Sequence, residues 1–140
     1  MPDPSEGPEV RTVLERGAGP LMEKIGVEFL DVGPEKVTAR IPVKGNEQYF
    51  GLLHGGANAA LAETVASVGA WVRDPSKDVL GMELKVNHLK GASDGWVTAT
   101  AVPLHAGQTT AVWEVRIRDG EGRLTAFATV TVAIRDRDAV

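Results

Sequence analysis

The chain lacks cysteine entirely, because none of its 140 residues is of that type. Disulfide bonds, thiolate metal sites and a cysteine nucleophile are therefore excluded. Positive charge is also scarce, and the formal net charge of −4 argues against sequence-independent binding to nucleic acids, which needs a basic face. No apolar run approaches the ~18 residues that a membrane-spanning helix needs, and residues 1–19 contain no signal-peptide core. We therefore expect a cytoplasmic protein with no nucleic-acid or membrane partner.

Aromatic residues make up only 5% of the chain, whereas valine, alanine, glycine and threonine are plentiful. This mixture favours an α+β fold, in which a sheet packs against a helix of small residues, over an all-helical bundle. The length suits one domain with a substantial core. We predict a single domain over residues 10–134, a flexible N-terminal tail over 1–9 and a C-terminal tail over 135–140.

The segment 57–72 is the main candidate for a long helix, because it contains no proline and a single glycine. Its branched aliphatic residues recur at helical spacing and predict one buried stripe, formed by Leu61, Val65, Val68 and Val72. On the opposite face we expect Glu63 and Ser67, surrounded by Ala59, Ala66 and Ala70. Small residues there indicate close packing by a second subunit or a ligand. A carboxylate in that setting is either a solvated side chain or a functional one.

Alternating apolar and polar residues predict two strands before this helix and four after it, over residues 27–30, 36–43, 79–89, 96–104, 109–118 and 123–134. Short turns between consecutive strands predict an antiparallel sheet. In the strand at 79–89 we expect one apolar side, formed by Leu80, Met82, Leu84 and Val86. A curved sheet wrapped around the single apolar helix would bury both elements.

A glycine pair, Gly55 and Gly56, stands directly before the long helix. It allows a tight turn and leaves the first N–H groups of the helix accessible. Those donors and the positive helix end suit an oxygen that becomes negative during a reaction. Together with Glu63 on the same helix, they point to acyl transfer.

These features are carried by the segment 51–56, Gly-Leu-Leu-His-Gly-Gly, and by Glu63. Three later segments belong to the same pattern, namely Asn-His at 87–88, Pro-Leu-His-Ala-Gly at 103–107 and Gly-Arg-Leu at 122–124. From about residue 26 to 134 the chain resembles the hot-dog-fold acyl-CoA thioesterases. It is most similar to the small bacterial enzymes of the phenylacetate-pathway type and to their relatives acting on hydroxybenzoyl-CoA and dihydroxynaphthoyl-CoA. The implied fold is a curved antiparallel sheet around one long central helix.

The resemblance implies that Glu63 is the catalytic nucleophile or the general base for water, and that the Gly55 N–H polarises the thioester carbonyl. His54 and Gln48 would hold the acyl carbonyl or water, and Ser67 would assist Glu63. The implied substrate-binding residues are Gly56, His88, Lys90, His105, Gly107, Gln108 and Thr109. Of these, Gln108 and Thr109 stand where many relatives have Arg or Lys. No metal and no cofactor are expected besides the coenzyme A of an acyl-CoA substrate, whose acyl group is expected to be aromatic or medium-chain.

The spacing of the two key elements predicts a dimer. Seven residues separate Gly56 from Glu63, which is ~10 Å along a helix. One reacting carbonyl would have to lie within ~3 Å of both the N–H donor and the attacking group. Two antiparallel helices from a symmetric pair would bring one subunit's Gly55 near the other's Glu63. We expect a homodimer with shared active sites, paired further into a tetramer.

Several of these candidate site residues also have a simpler, non-catalytic interpretation. Glu63 can be a solvated helix residue, and Ser67 can bond back to its own helix. His54, Gln48 and His88 can be ordinary polar residues of a loop or a strand end. For the whole chain, a hot-dog hydratase or dehydratase acting on acyl thioesters and a non-catalytic acyl-CoA sensor are the alternative functions.

Overall fold

The computed structural model describes residues 7–137, with the side chains of Glu9 and Arg16 excepted. The helices are α1 (Pro8–Arg16), α2 (Pro20–Ile25) and α3 (Gly55–Arg73). The strands are β1 (Glu28–Val32), β2 (Val37–Pro42), β3 (Lys77–His88), β4 (Trp96–Ala106), β5 (Thr110–Arg118) and β6 (Leu124–Asp136). Two strands, a long helix and four strands therefore follow one another as predicted.

All six strands form one antiparallel sheet in the order β1-β2-β4-β5-β6-β3. Helix α3 lies against five of them, β2 to β6, so the sheet curves around the helix. The apolar sides predicted for β2, β5 and β6 are buried, as Ile41, Trp113 and Val130 exemplify. Strands β1 and β3 are the two edges of the sheet.

The buried face of α3 is wider than the predicted stripe. Leu61 and Val65 are fully buried as expected, but Ala66 and Ala70 are also in the core, and their expected position on the Glu63 face was wrong. Because the sheet wraps the helix, more than one stripe is covered. Gly69 marks the closest approach, since a Cβ there would lie 2.7 Å from Cζ3 of the buried Trp113 indole.

Strand β3 departs from the predicted alternation. Its pairing with β6 shifts between Gly81 and Glu83, which is the pattern of a β-bulge. The bulge adds one residue to β3, so the expected apolar side is interrupted. Leu80 and Met82 are exposed, at 47% and 65%, whereas Leu84 packs against the core. The predicted single apolar side of this strand was therefore wrong at its first two positions.

Ordered elements extend slightly beyond the predicted domain. Helix α1 begins at Pro8 and β6 continues to Asp136, whereas the predicted domain covered residues 10–134. Residues 1–6 and 138–140 of the two predicted tails lie outside the described residues. Within residues 7–137, no helix has the length and apolar character to cross a membrane.

Candidate functional site

The start of α3 is built on a fixed loop. The Asn46 side-chain amide donates to the carbonyl oxygens of Ile25 (2.7 Å) and Pro42 (2.8 Å). The backbone carbonyl of Asn46 in turn accepts from the His54 N–H at 2.8 Å. His54 is the N-cap of α3, so this chain of hydrogen bonds sets the position of the first helical turn.

His54 caps the helix through its side chain. Its Nδ1 accepts from the Gly56 N–H at 2.7 Å, and its carbonyl accepts from the Ala57 N–H at 3.0 Å. A neutral imidazole that accepts at Nδ1 carries its proton on Nε2. The Gly56 N–H is thereby occupied, whereas the Gly55 N–H has no hydrogen-bond acceptor within residues 7–137. Of the glycine pair, Gly55 thus supplies the donor that remains open.

A first cavity of about 300 Å³ lies beside this open donor. Its polar lining includes Gln48, Gly55, Asn58, His88 and Lys90. The His88 ring covers Gly55, because a Cβ there would lie 2.9 Å from His88 Nε2. Gln48 Oε1 accepts from the Phe50 backbone N–H, which leaves the Gln48 NH₂ group as a donor. Four residues that the sequence predicted as site residues are therefore brought together with Asn58.

A second cavity of about 760 Å³ contains Glu63, and Thr64, Ser67 and Trp71 line it from the same helix. Residues of α1, the loop 17–19 and the first half of β3 form its other walls. The Glu63 carboxylate lies directly over Gly81, where a Cβ would meet Cδ at 3.0 Å and the two oxygens at 3.2 and 3.3 Å. The absence of a side chain at position 81 is what leaves room for this carboxylate.

The two cavities have no lining residue in common within the described chain. Gly55 and Glu63 are eight residues apart in α3, which is ~12 Å along the axis. A single protomer therefore keeps the open N–H donor and the carboxylate in separate cavities.

The predicted substrate contacts at 105–109 lie elsewhere. His105 belongs to β4, and Gly107 and Gln108 line a third cavity of about 510 Å³ with Arg73 and Lys77. Because Arg73 ends α3, this cavity is at the opposite end of the helix from Gly55. Within one chain the structure does not bring His105, Gly107, Gln108 or Thr109 to the Gly55 cavity.

Two cations border this third cavity although the hairpin at 107–109 has none. Arg73 Nη1 pairs with Glu35 at 3.0 Å, and Lys77 hydrogen-bonds to Asp136. The hydrogen bond to Asp136 and the charge of its carboxylate raise the pKa of Lys77. Within the described residues no group of three or more His, Asp or Glu side chains is placed to hold a metal ion.

The sequence did not predict two residues of this region, Asn58 and Gly81, as site residues. Asn58 is 6% exposed on the buried face of α3, and the signal for it was a polar amide within an otherwise apolar helix. Gly81 stands inside a strand, where glycine marks a bulge or a close approach. The sequence contained both signals. It could not show which side chains Asn58 and Gly81 contact, because those contacts form only in the folded chain.

Comparison with known proteins identifies the family. Residues 50–126 match the model of the thioesterase superfamily. A 1,4-dihydroxy-2-naphthoyl-CoA hydrolase of Listeria monocytogenes is 39% identical over 119 residues, which cover 84% of this chain and 97% of the relative.

Solved structures of thioesterases also resemble this chain. A mutant thioesterase of Pseudomonas aeruginosa superposes with a TM-score of 0.85 at 33% identity, covering 94% of this chain and 96% of that one. A Staphylococcus aureus thioesterase has been solved with a glutamate and, separately, with a glutamine replaced by alanine. The glutamate mutant gives a TM-score of 0.80 at 38% identity, over 83% of this chain and 98% of that one.

The chain therefore belongs to the thioesterase superfamily. Its antiparallel sheet around one long helix is the hot-dog fold, as predicted. Its activity is thioester hydrolysis, which its named thioesterase and hydrolase relatives support.

Proposed function

We propose that this thioesterase hydrolyses acyl-CoA thioesters with an aromatic or medium-chain acyl group, using Glu63 and the Gly55 N–H. The observation that carries the proposal is the open N–H of Gly55, which stands at the N-terminus of α3 and lines a cavity. A helix N-terminus stabilises negative charge, and an unoccupied N–H there suits a thioester oxygen that becomes an oxyanion. Gln48 lines the same cavity, and its NH₂ group is a second donor for the carbonyl or for water.

The chemistry follows from these two groups. The Glu63 carboxylate either takes a proton from the attacking water or itself attacks the carbonyl carbon, in which case water then cleaves the resulting anhydride. The C–S bond breaks, the coenzyme A thiolate leaves and takes up a proton, and the acyl group becomes the free acid. One water is consumed and no redox step or further cofactor is needed.

The spacing of Gln48 and Glu63 matches that of a glutamine and a glutamate in a relative. In the S. aureus thioesterase the glutamine and the glutamate that were replaced are fifteen positions apart. Gln48 and Glu63 are also fifteen positions apart. This spacing supports the choice of Glu63 as the carboxylate and of Gln48 as its polar partner.

A complete site requires a second copy of the chain. Strand β3 is an edge with exposed Leu80 and Met82, and such an edge is a template for pairing. If two β3 strands pair antiparallel with Gly81 opposite the partner's His88, the two-fold axis passes between Leu84 and Lys85, near the middle of the strand. The Gly55 cavity of one chain would then meet the Glu63 carboxylate of the other.

Thiol release from a panel of aryl-CoA, short-chain, medium-chain and long-chain acyl-CoA esters tests the activity. Glu63→Ala should lower kcat by several orders of magnitude. Gly55→Pro removes the N–H at a helix position that tolerates proline and should cost about 10²–10³-fold. Gly55→Ala is its matched control, because it adds the same Cβ toward His88 but keeps the N–H. Wild-type-like turnover by Glu63→Ala, or equal losses in the two Gly55 variants, would contradict the assignment.

Mixing the two inactive variants tests the shared site. In a mixed dimer of Glu63→Ala and Gly55→Pro chains, one site carries both lesions and the other carries neither. Random exchange of subunits should restore about a quarter of wild-type activity, since half of the dimers are mixed and half of their sites are intact. No recovery, or full activity in a 14.8 kDa monomer, would refute the shared site.

A further inference from the structure

Asn58 presents an acceptor that the protein leaves unused. Its Oδ1 is buried and has no hydrogen-bond partner within residues 7–137, although the residue lines the Gly55 cavity. The other buried polar residue of that cavity is Thr125, and its hydroxyl donates to the Ile117 carbonyl at 3.1 Å. Buried polar groups are nearly always paired, because leaving one unpaired costs the free energy of its lost hydration. Because Asn58 lines the cavity, a ligand bound there can supply the missing donor.

The polar groups around the cavity define what that donor belongs to. Gly55 offers an open N–H and Gln48 an open NH₂ group, so both can bind a carbonyl oxygen. Asn58 adds an acceptor. The cavity is thus complementary to a ligand that carries a carbonyl and, close to it, an N–H or O–H donor. Asn58 is three residues beyond Gly55 on the helix, or ~4.5 Å along its axis, so the two residues lie within one turn of each other.

We propose that Asn58 determines specificity by accepting, at Oδ1, a hydrogen bond from a neutral N–H or O–H donor of the thioester substrate. The proposal rests on the proposed hydrolysis at Gly55. Two parts of an acyl-CoA carry such a donor within a few ångströms of the thioester carbonyl. One is a hydroxyl on the acyl group, and the other is the pantetheine amide N–H nearest to sulfur.

Two substitutions separate this role from packing. Asn58→Leu keeps a similar volume and removes the acceptor, whereas Asn58→Gln keeps a neutral amide oxygen and should retain more of the selectivity than Asn58→Leu. If Asn58 only filled space or held the fold, Asn58→Leu would leave the ranking of substrates unchanged. Under the proposal it lowers kcat/KM only for substrates that bear the donor, and its melting temperature equals or exceeds that of the wild type, because an unpaired buried amide has been removed.

The substrates come in matched pairs. Benzoyl-CoA against its ring-hydroxylated forms, and hexanoyl-CoA against 3-hydroxyhexanoyl-CoA, test a donor on the acyl group. Benzoyl esters of N-acetylcysteamine against those of butanethiol, which lacks the amide, test a donor on the pantetheine arm. Asn58→Leu should abolish a preference of about 10- to 100-fold in one of the two series, and the affected series identifies the donor.

The outcomes separate the proposal from the function on which it rests. If the wild type hydrolyses none of the esters, the proposed acyl-CoA hydrolysis fails. If the wild type is active, and Asn58→Leu changes kcat/KM equally for all esters or for none, the role of Asn58 is overturned. Should Asn58→Leu not fold, Asn58→Ala provides the same comparison.

Discussion

Gly81 should be essential for the position of the Glu63 carboxylate, and Gly81→Ala tests this directly. The backbone at Gly81 is outside the left-handed region, so alanine fits the local conformation. Its Cβ, however, would lie 3.0 Å from Glu63 Cδ and 3.2 and 3.3 Å from the two oxygens, where ordinary contacts are 3.4–4 Å. The carboxylate must therefore move by a few tenths of an ångström.

The expected loss follows from that displacement. A misplacement of ~1 Å at a reacting group can cost about 10²-fold in rate. Because the shift is only a few tenths of an ångström, we expect a smaller loss, with Gly81→Ala lowering kcat by about 3- to 10-fold. KM should change less than about twofold, because the groups that would bind the carbonyl are unchanged. The assay is steady-state thiol release with the preferred acyl-CoA.

A double-mutant cycle decides whether the effect passes through Glu63. If Gly81 acts by leaving space for the carboxylate, adding Gly81→Ala to Glu63→Ala should cause no further loss. Gly120→Ala is the matched control, since a Cβ there meets nothing within 4 Å. A Gly81→Ala enzyme with wild-type kcat, or one whose loss persists in the Glu63→Ala background, would refute the reasoning.

Two further predictions concern stability. Overpacking against Trp113 should cost up to about 3 kcal/mol, whereas alanine gains ~1 kcal/mol over glycine in a helix. Gly69→Ala should therefore lower the free energy of unfolding by up to about 2 kcal/mol in denaturant titrations; a stabilised variant would contradict this. Asp119 accepts from the backbone N–H groups of Glu121 and Arg123, and from the Arg123 guanidinium. Burial raises its pKa, but these hydrogen bonds outweigh burial and hold the pKa below the ordinary 3.8. The ionised form therefore stabilises the turn above that pH, and its contribution is lost as the pH falls through the lowered pKa. Asp119→Asn should be less stable than the wild type at pH 7, and the difference should vanish in acid; a constant difference would count against it.

Much of the fold could be predicted because its signals are local. The period-two alternation in β2, β5 and β6 and the proline-free segment of α3 each act within one element. What failed was the relation between elements. Nothing local in the sequence of β3 distinguishes a regular strand from one in which Met82 is an extra residue, because the bulge exists only relative to β6.

The candidate site shows the same division between features that the sequence conveys locally and features that depend on contacts between elements. The roles predicted for Glu63 and Gly55 stay predictions that the geometry supports, since they rest on chemistry that residue types and spacing convey. The occupied Gly56 N–H could not be foreseen, because it depends on the rotamer of His54. The sequence analysis did not single out Asn58, because its importance depends on an unpaired oxygen, and only the surrounding side chains show that the oxygen is unpaired.

The separation of Gly55 from Glu63 within one chain has a physical advantage. A helix N-terminus with an open N–H attracts any nearby anion. A carboxylate of the same turn would bind that N–H itself and compete with the substrate oxygen. With Glu63 two turns further along, its own helix cannot deliver it to Gly55, and only a second chain can. The thioester carbonyl can then lie between donor and carboxylate, each presented from a different helix. The missing side chain at Gly81, directly over Glu63, is what such a close approach requires.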